Sequence, residues 1–295
     1  MKRKKILSFL LAGAMLGQTF PLGTMIVSAE EKTMVGEGQL TDKKTAAPEK
    51  DKAVPNKNQY KYQKDELAAF CHFGPNTFTG VEWGDKYGDR HPNDLFTLKE
   101  NFDAETLVKT IKDAGFKKLI ITAKHHDGFC LWNSDYTTYD VESTDYAKKN
   151  YDGMGGDILA EISKACSDAD LDMGLYLSPW DIHEPSYGNA SDGDYNEFYN
   201  NQLKEILSND KYGNKGKFVE IWMDGAKGGG ADPQDYNIKQ WYDTIQEYEG
   251  KEDECMIFGA GPYATVRWIG NEDGAAADET WSKSILTEDN KIKND

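Results

Sequence analysis

From Gln59 onward the chain alternates strand-like and helix-like segments, and that alternation restricts it to parallel α/β architectures. Leu67 to Phe73 is a short apolar run ending in Gly74-Pro75. Asp103 to Ala114 carries Leu107, Val108 and Ile111 at helical spacing, starts acidic and stops at Gly115. Lys118 to Ala123 (KLIITA) reads as a strand, Asp157 to Ala169 as a helix with Ile158, Leu159, Ile162 and Ala165 on one face, and Met173 to Leu177 as a strand. Glu197 to Leu207 (helix), Phe218 to Trp222 (strand), Asp235 to Tyr248 (helix) and Met256 to Phe258 (strand) continue the series, with Val266 to Ile269 a further strand candidate.

A doubly wound nucleotide-binding sheet would place a glycine-rich turn straight after a strand. Gly153, Gly155 and Gly156 follow a loop instead. Polar and aromatic residues gather after several different strands: His72, then His125 and His126, then Trp180 and Asp181, then Asp224. That is the layout of a (β/α)8 TIM-like barrel, whose site is assembled from the C-terminal ends of its strands. Residues 59–295 approach the roughly 250 residues of a typical barrel. Only five or six strands are countable before the polar tail EDNKIKND, so either further strands escape the pattern or, as the fold class is read here, the barrel is truncated at its C-terminal end.

Ahead of this region, residues 1–29 read as an export signal. Lys2 to Lys5 form a cationic head, Ile6 to Leu16 an apolar run too short to span a bilayer, and Val27-Ser28-Ala29 a cleavage site after Ala29. Residues 30–58, rich in Lys, Glu, Thr, Ala and Pro, read as a disordered linker. Secretion or display at the cell surface follows. The formal charge of −17 and pI near 4.8 argue against nucleic acid or an anionic membrane as partner, since both require basic patches, and suit an uncharged substrate. Cys71, Cys130, Cys166 and Cys255 are scattered through apolar stretches without a CxxC pair, as expected of buried thiols.

The strongest chemical signal is FVEIWMDGA, residues Phe218 to Ala226, where an apolar strand runs into Asp224 with Gly225 beside it. Trp222 supplies an aromatic surface that suits the C–H face of a sugar. Cleavage of a glycoside with retention needs a second carboxyl about 5 Å away. Glu272, Asp273, Asp278 and Glu279 are the downstream candidates; Glu272 in RWIGNE sits in the partly apolar setting that raises a carboxyl pKa, and Glu279 is the reserve. Adjacent residues on an extended chain point to opposite sides, so His125 and His126 do not readily share one metal ion, and no metal is expected. His72 in AFCHFGPNTF and the segment VEWGD around Glu82 and Trp83 form a further cluster after the first strand.

LIITAKHHDGFCLWNSDYTTYDV, GDILAEISKACSDADLDMGLYLSPWD and FVEIWMDGA together resemble glycoside hydrolase family 29, the α-L-fucosidases, over about Gln59 to Trp281. The resemblance implies a retaining hydrolase of fucosylated glycans that needs no cofactor. It implies Asp224 as nucleophile and His72, His125 and His126 as residues binding fucose hydroxyls. GPYATVRWIGNEDG followed by Trp281 resembles the branch preferring α-1,3/1,4-linked fucose, which implies Glu272 as acid/base and Glu82-Trp83 as a substrate-binding segment. Trp222 and Trp281 would be aromatic walls. The family's barrel is normally longer and followed by a β-sandwich domain. Two rivals remain at this level: a truncated paralogue that is inactive or only binds fucose, and a metal-dependent barrel hydrolase using His125 and His126.

Overall fold

The computed structural model of the chain describes residues 55–83, 91–149, 153–224, 234–250, 254–259, 263–267, 284–286 and 292–294. The expected export signal and residues 30–54 of the expected linker lie outside the described residues. Helix α1 (Lys57–Asp65) begins two residues before the expected folded start, with Asn56 and Gln59 forming a reciprocal capping box that satisfies its first amides. It is followed by β1 (Ala68–Cys71), short helices α2 (Pro75–Thr79) and α3 (Pro92–Leu95), α4 (Ala104–Asp113), β2 (Lys118–Lys124), α5 (Asp145–Lys149) and α6 (Ile158–Ala169). Then come β3 (Asp172–Leu177), α7 (Tyr195–Leu207), β4 (Glu220–Met223), α8 (Ile238–Glu249), β5 (Met256–Gly259) and β6 (Val266–Arg267). The longer helices start where an Asp or Asn side chain can take up free amides: Asp103, Asp157, Asp194 and Asn237 cap α4, α6, α7 and α8.

Strands β1 to β6 form one parallel sheet in sequential order, the expected result of repeated βα units. The sheet is strongly curled. Phe70 on β1 and Trp222 on β4 lie three strands apart, about 14 Å in a flat sheet, yet their ring centroids are 4.7 Å apart. Strand alternation then gives the sheet two faces. Leu119, Ile121, Met173, Leu175, Ile221 and Ile257 belong to the core beneath α4, α6, α7 and α8, with Val108, Ile158, Ile162, Leu203, Ile206, Trp241 and Ile245 packed against them. The even-numbered residues face the concave side. Gly174 is one of them because a Cβ there would lie 2.8 Å from Ile120 Cγ1.

Layers stack along this concave face. At the N-terminal end of the strands Lys118 and Glu220 form an ion pair, 5% and 0% exposed, with the Tyr62 ring of α1 3.6 Å from Lys118 Nζ. Burial raises the Glu220 pKa against the pull of Lys118. Above it lie Phe70, Tyr176, Trp222 and Phe258, the last two stacked at 3.6 Å. The strand ends come next.

Strands β7 (Ser284–Leu286) and β8 (Ile292–Asn294) pair antiparallel, β8 falling within the stretch that the sequence reads as a polar tail and β7 just before it. Three-residue strands are too short to display a period of two, which is why pattern reading passes over them. All four cysteines are free; Cys130, Cys166 and Cys255 are buried, and Cys71 is half-buried. No helix among the described residues is long and apolar enough to cross a membrane.

Candidate active site

The site begins with the order of side chains on β4. Glu220 and Trp222 face the concave side, so Asp224, two residues on, emerges above them at the strand's C-terminal end. Its Oδ2 accepts a hydrogen bond of 2.8 Å from the Tyr176 hydroxyl. Burial and the Asp224 carboxylate together raise the Tyr176 pKa, so the phenol keeps its proton and acts as a fixed donor. Trp222 lies one layer below, packed against Phe258 and Phe70.

The two histidines after β2 depart from simple alternation. Ile120 and Thr122 face inward, and Lys124 would follow, but the pairing of β2 with β3 shifts register between Thr122 and Lys124. Such an irregularity re-aims the following side chains. Lys124 turns to the helix side, where Nζ lies 3.0 Å from Asp181 Oδ2 and 2.8 Å from Gln202 Oε1. His125 turns inward and stacks on Tyr176 at 5.6 Å, with His72 5.7 Å away edge-on. The chain then leaves the strand in a turn closed by Gly128 N–H donating to the His125 carbonyl. That turn brings His126 to the same side, its ring centroid 4.2 Å from that of His125. The expectation that adjacent histidines diverge is therefore corrected: it holds for an extended strand, and these residues lie past its end.

His126 Nε2 is 3.8 Å from Asp224 Oδ2, and its Nδ1 is 2.6 Å from Ser178 Oγ. Burial pushes His126 down to about 4 despite the opposing pull of Asp224. Burial also lowers His125, with the neighbouring His126 and His72 adding to the effect, to about 3. His72 is lowered by burial while Asp224 and Glu82 pull it upward. All three rings are accordingly neutral near pH 7 and suited to hydrogen-bonding alcohols, not to pairing with charge.

Around this centre stand two tryptophans. Trp180 lies 4.6 Å from His126 between ring centroids, and Trp83, half exposed, meets Trp180 edge-on at 5.7 Å. Behind them Asp181 fixes the loop after β3: its Oδ1 accepts from the amides of His183 and Glu184, and its Oδ2 pairs with Lys124. Gly128, at φ +78°, passes so close that a Cβ would lie 2.3 Å from Asp181 Oδ1.

The structure thus gathers Asp224, His72, His125, His126 and Trp83, places Glu82 within electrostatic reach of His72, and sets Trp222 beneath them. Glu272, the reserve Glu279 and Trp281 lie outside the described residues. Trp180, read from the sequence as one of the strand-end residues, joins the site, and so do Tyr176 and Ser178, which the sequence did not single out. Their signal was present in the inward alternation Gly174, Tyr176, Ser178, readable only once the strand's facing was known. Among the described residues no group of three or more His, Cys, Asp or Glu side chains is placed to hold a metal ion.

The arrangement offers a strand-end carboxylate with one fixed hydroxyl donor, three neutral imidazoles and aromatic walls, a set able to bind and attack an uncharged sugar. The α-L-fucosidase family model matches residues 33–259. α-L-fucosidase 1 of Arabidopsis thaliana is 43% identical over 230 residues, covering 78% of this chain and 41% of that protein. A Ruminococcus gnavus GH29 fucosidase in complex with fucose superposes with a TM-score of 0.76 at 61% identity, covering 84% of this chain and 52% of that one. The parallel sheet is therefore that of a glycoside hydrolase (β/α)8 barrel, and the chain spans about half the length of the relatives it matches. The chain belongs to the α-L-fucosidase family.

Proposed function

We propose that this chain carries the catalytic residues of a secreted, retaining α-L-fucosidase acting on terminal α-1,3/1,4-linked fucose of glycans. The observation that carries the reading is Asp224 at the end of β4, held by the Tyr176 hydroxyl and faced by His126. In the first step an Asp224 oxygen attacks the anomeric carbon, while the acid, assigned to Glu272, protonates the departing glycosidic oxygen. The fucosyl ester is then opened by water that gives its proton to the same Glu272, and fucose leaves with its configuration retained. His72, His125 and His126 bind sugar hydroxyls, and Trp83, Trp222 and Trp281 supply aromatic surface. The linkage preference rests on the resemblance of Glu82-Trp83 and the Glu272 segment to one branch of the family. No step calls on a metal or an organic cofactor.

The test follows an α-1,3/1,4-fucosylated trisaccharide by proton NMR during hydrolysis. The α-anomer of fucose should appear first and then mutarotate. First appearance of the β-anomer would overturn retention. Fucose affinity without release would favour a binding role for this chain, and loss of activity on adding a chelator would favour the metal-dependent alternative.

A further inference from the structure

Ser178 stands where β3 ends, its amide donating to the Lys124 carbonyl at 2.9 Å, and its buried side chain has two close partners, with the Tyr176 phenol, whose own proton goes to Asp224, as a further neighbour. One is the Trp180 carbonyl, 2.7 Å from Ser178 Oγ; the other is His126 Nδ1, at 2.6 Å. A carbonyl can only accept, and a hydroxyl carries one proton. The Trp180 carbonyl at 2.7 Å takes the Ser178 proton, for which the Tyr176 phenol oxygen is the other available acceptor, and in either case the Ser178 oxygen accepts from His126. The proton of the neutral imidazole must then sit on Nδ1. The opposite tautomer would set two lone pairs against each other at 2.6 Å, or strip the Trp180 carbonyl of its donor.

We propose that Ser178 is a positioning residue that locks His126 in the Nδ1–H tautomer, so that Nε2 presents a lone pair beside Asp224 and accepts a hydrogen bond from a sugar hydroxyl. The tautomer assignment rests on geometry alone; the sugar as donor rests on the fucosidase reading. The consequence is selective. Nε2 and Asp224 Oδ2, 3.8 Å apart, are both acceptors, so the space beside them calls for a ligand that brings a proton. An alcohol does so and an ether does not, and a buried acceptor left unpaired penalises the wrong ligand. His125 provides an internal contrast. Its Nδ1 is buried with no hydrogen-bond partner among the described residues, so nothing acts on that nitrogen as Ser178 acts on Nδ1 of His126.

The full chain, labelled with 15N at its five histidines, is examined by long-range proton–nitrogen NMR at pH 7, with His126 assigned from the signals lost in His126→Gln. The expected result is a protonated, pyrrole-type Nδ1 and a pyridine-type Nε2. In Ser178→Ala that preference should vanish, and in Ser178→Thr it should persist. Where the fucosidase reading holds, KM for a simple α-L-fucoside should rise about fivefold in Ser178→Ala, the loss of one neutral hydrogen bond, and recover in Ser178→Thr. A protonated Nε2 in the parent chain overturns the proposal, as does an unchanged tautomer in Ser178→Ala. The parent spectrum decides the matter even if Ser178→Ala fails to fold. It also decides if no fucoside is turned over, a result that would remove the fucosidase reading and leave the tautomer lock standing.

Discussion

Replacing Lys124 with Met tests whether the site is held from behind by a buried charge. Lys124 is 0% and Asp181 3% exposed at the side chain, and Nζ bonds both Asp181 Oδ2 and Gln202 Oε1. Methionine nearly conserves the volume, so the cavity contribution is small. What remains is an Asp181 carboxylate buried without its cation, which costs about 3–5 kcal/mol. A domain with 5–15 kcal/mol of stability would be left marginal. Asp181 also holds the amides of His183 and Glu184, so its movement would release the loop that carries Trp180. Urea unfolding at pH 7 should show the midpoint fall sharply with the slope little changed. Asp181→Asn keeps an acceptor for the two amides and removes the charge, so the double variant should recover about 2 kcal/mol relative to the sum of the single ones. Strict additivity, or a Lys124→Met cost below about 1 kcal/mol, would refute the argument.

Asp127 is buried beside this pair, and burial lifts its pKa to about 7 against the hydrogen bond it accepts from the Phe129 amide. A carboxyl whose pKa rises on folding favours the folded state below its unfolded value near 3.9, and that contribution is lost as pH climbs through about 7. Wild type should therefore lose stability relative to Asp127→Asn between pH 4 and 7, seen by thermal melts across that range; parallel profiles would contradict it. For the expected export signal, the protein recovered from the medium of an expressing bacterium should begin at Glu30, read by N-terminal sequencing. A chain recovered only from inside the cell with Met1 intact would remove the secretion proposal.

The sequence carried most of this fold because its strands and helices differ in period and composition. KLIITAK, buried at every position, is strand-like by its β-branched residues, and α4 and α6 announce themselves by an acidic cap and an apolar stripe. Helix α1 was not legible: it buries no residue completely and has no apolar stripe to read. Asp224 was legible because a charge at the end of an apolar strand, followed by glycine, is conspicuous. Tyr176 was not, since a tyrosine amid a buried strand looks like core until the facing of β3 is known. The paired histidines show the same limit more sharply. Their convergence depends on a register shift between Thr122 and Lys124, a property of the pairing between strands and not of either strand alone.

The central claim is that Asp224 is the group that bonds to the sugar, and covalent trapping tests it most directly. The full chain is incubated with a 2-fluoro-α-L-fucosyl fluoride, whose fluorine slows breakdown of the glycosyl ester, then digested and sequenced by mass spectrometry. The account predicts one fluorofucosyl group, on Asp224 in the peptide containing Phe218 to Asp224, and none in Asp224→Asn. A label on another residue, or none on a chain that releases fucose, would contradict it.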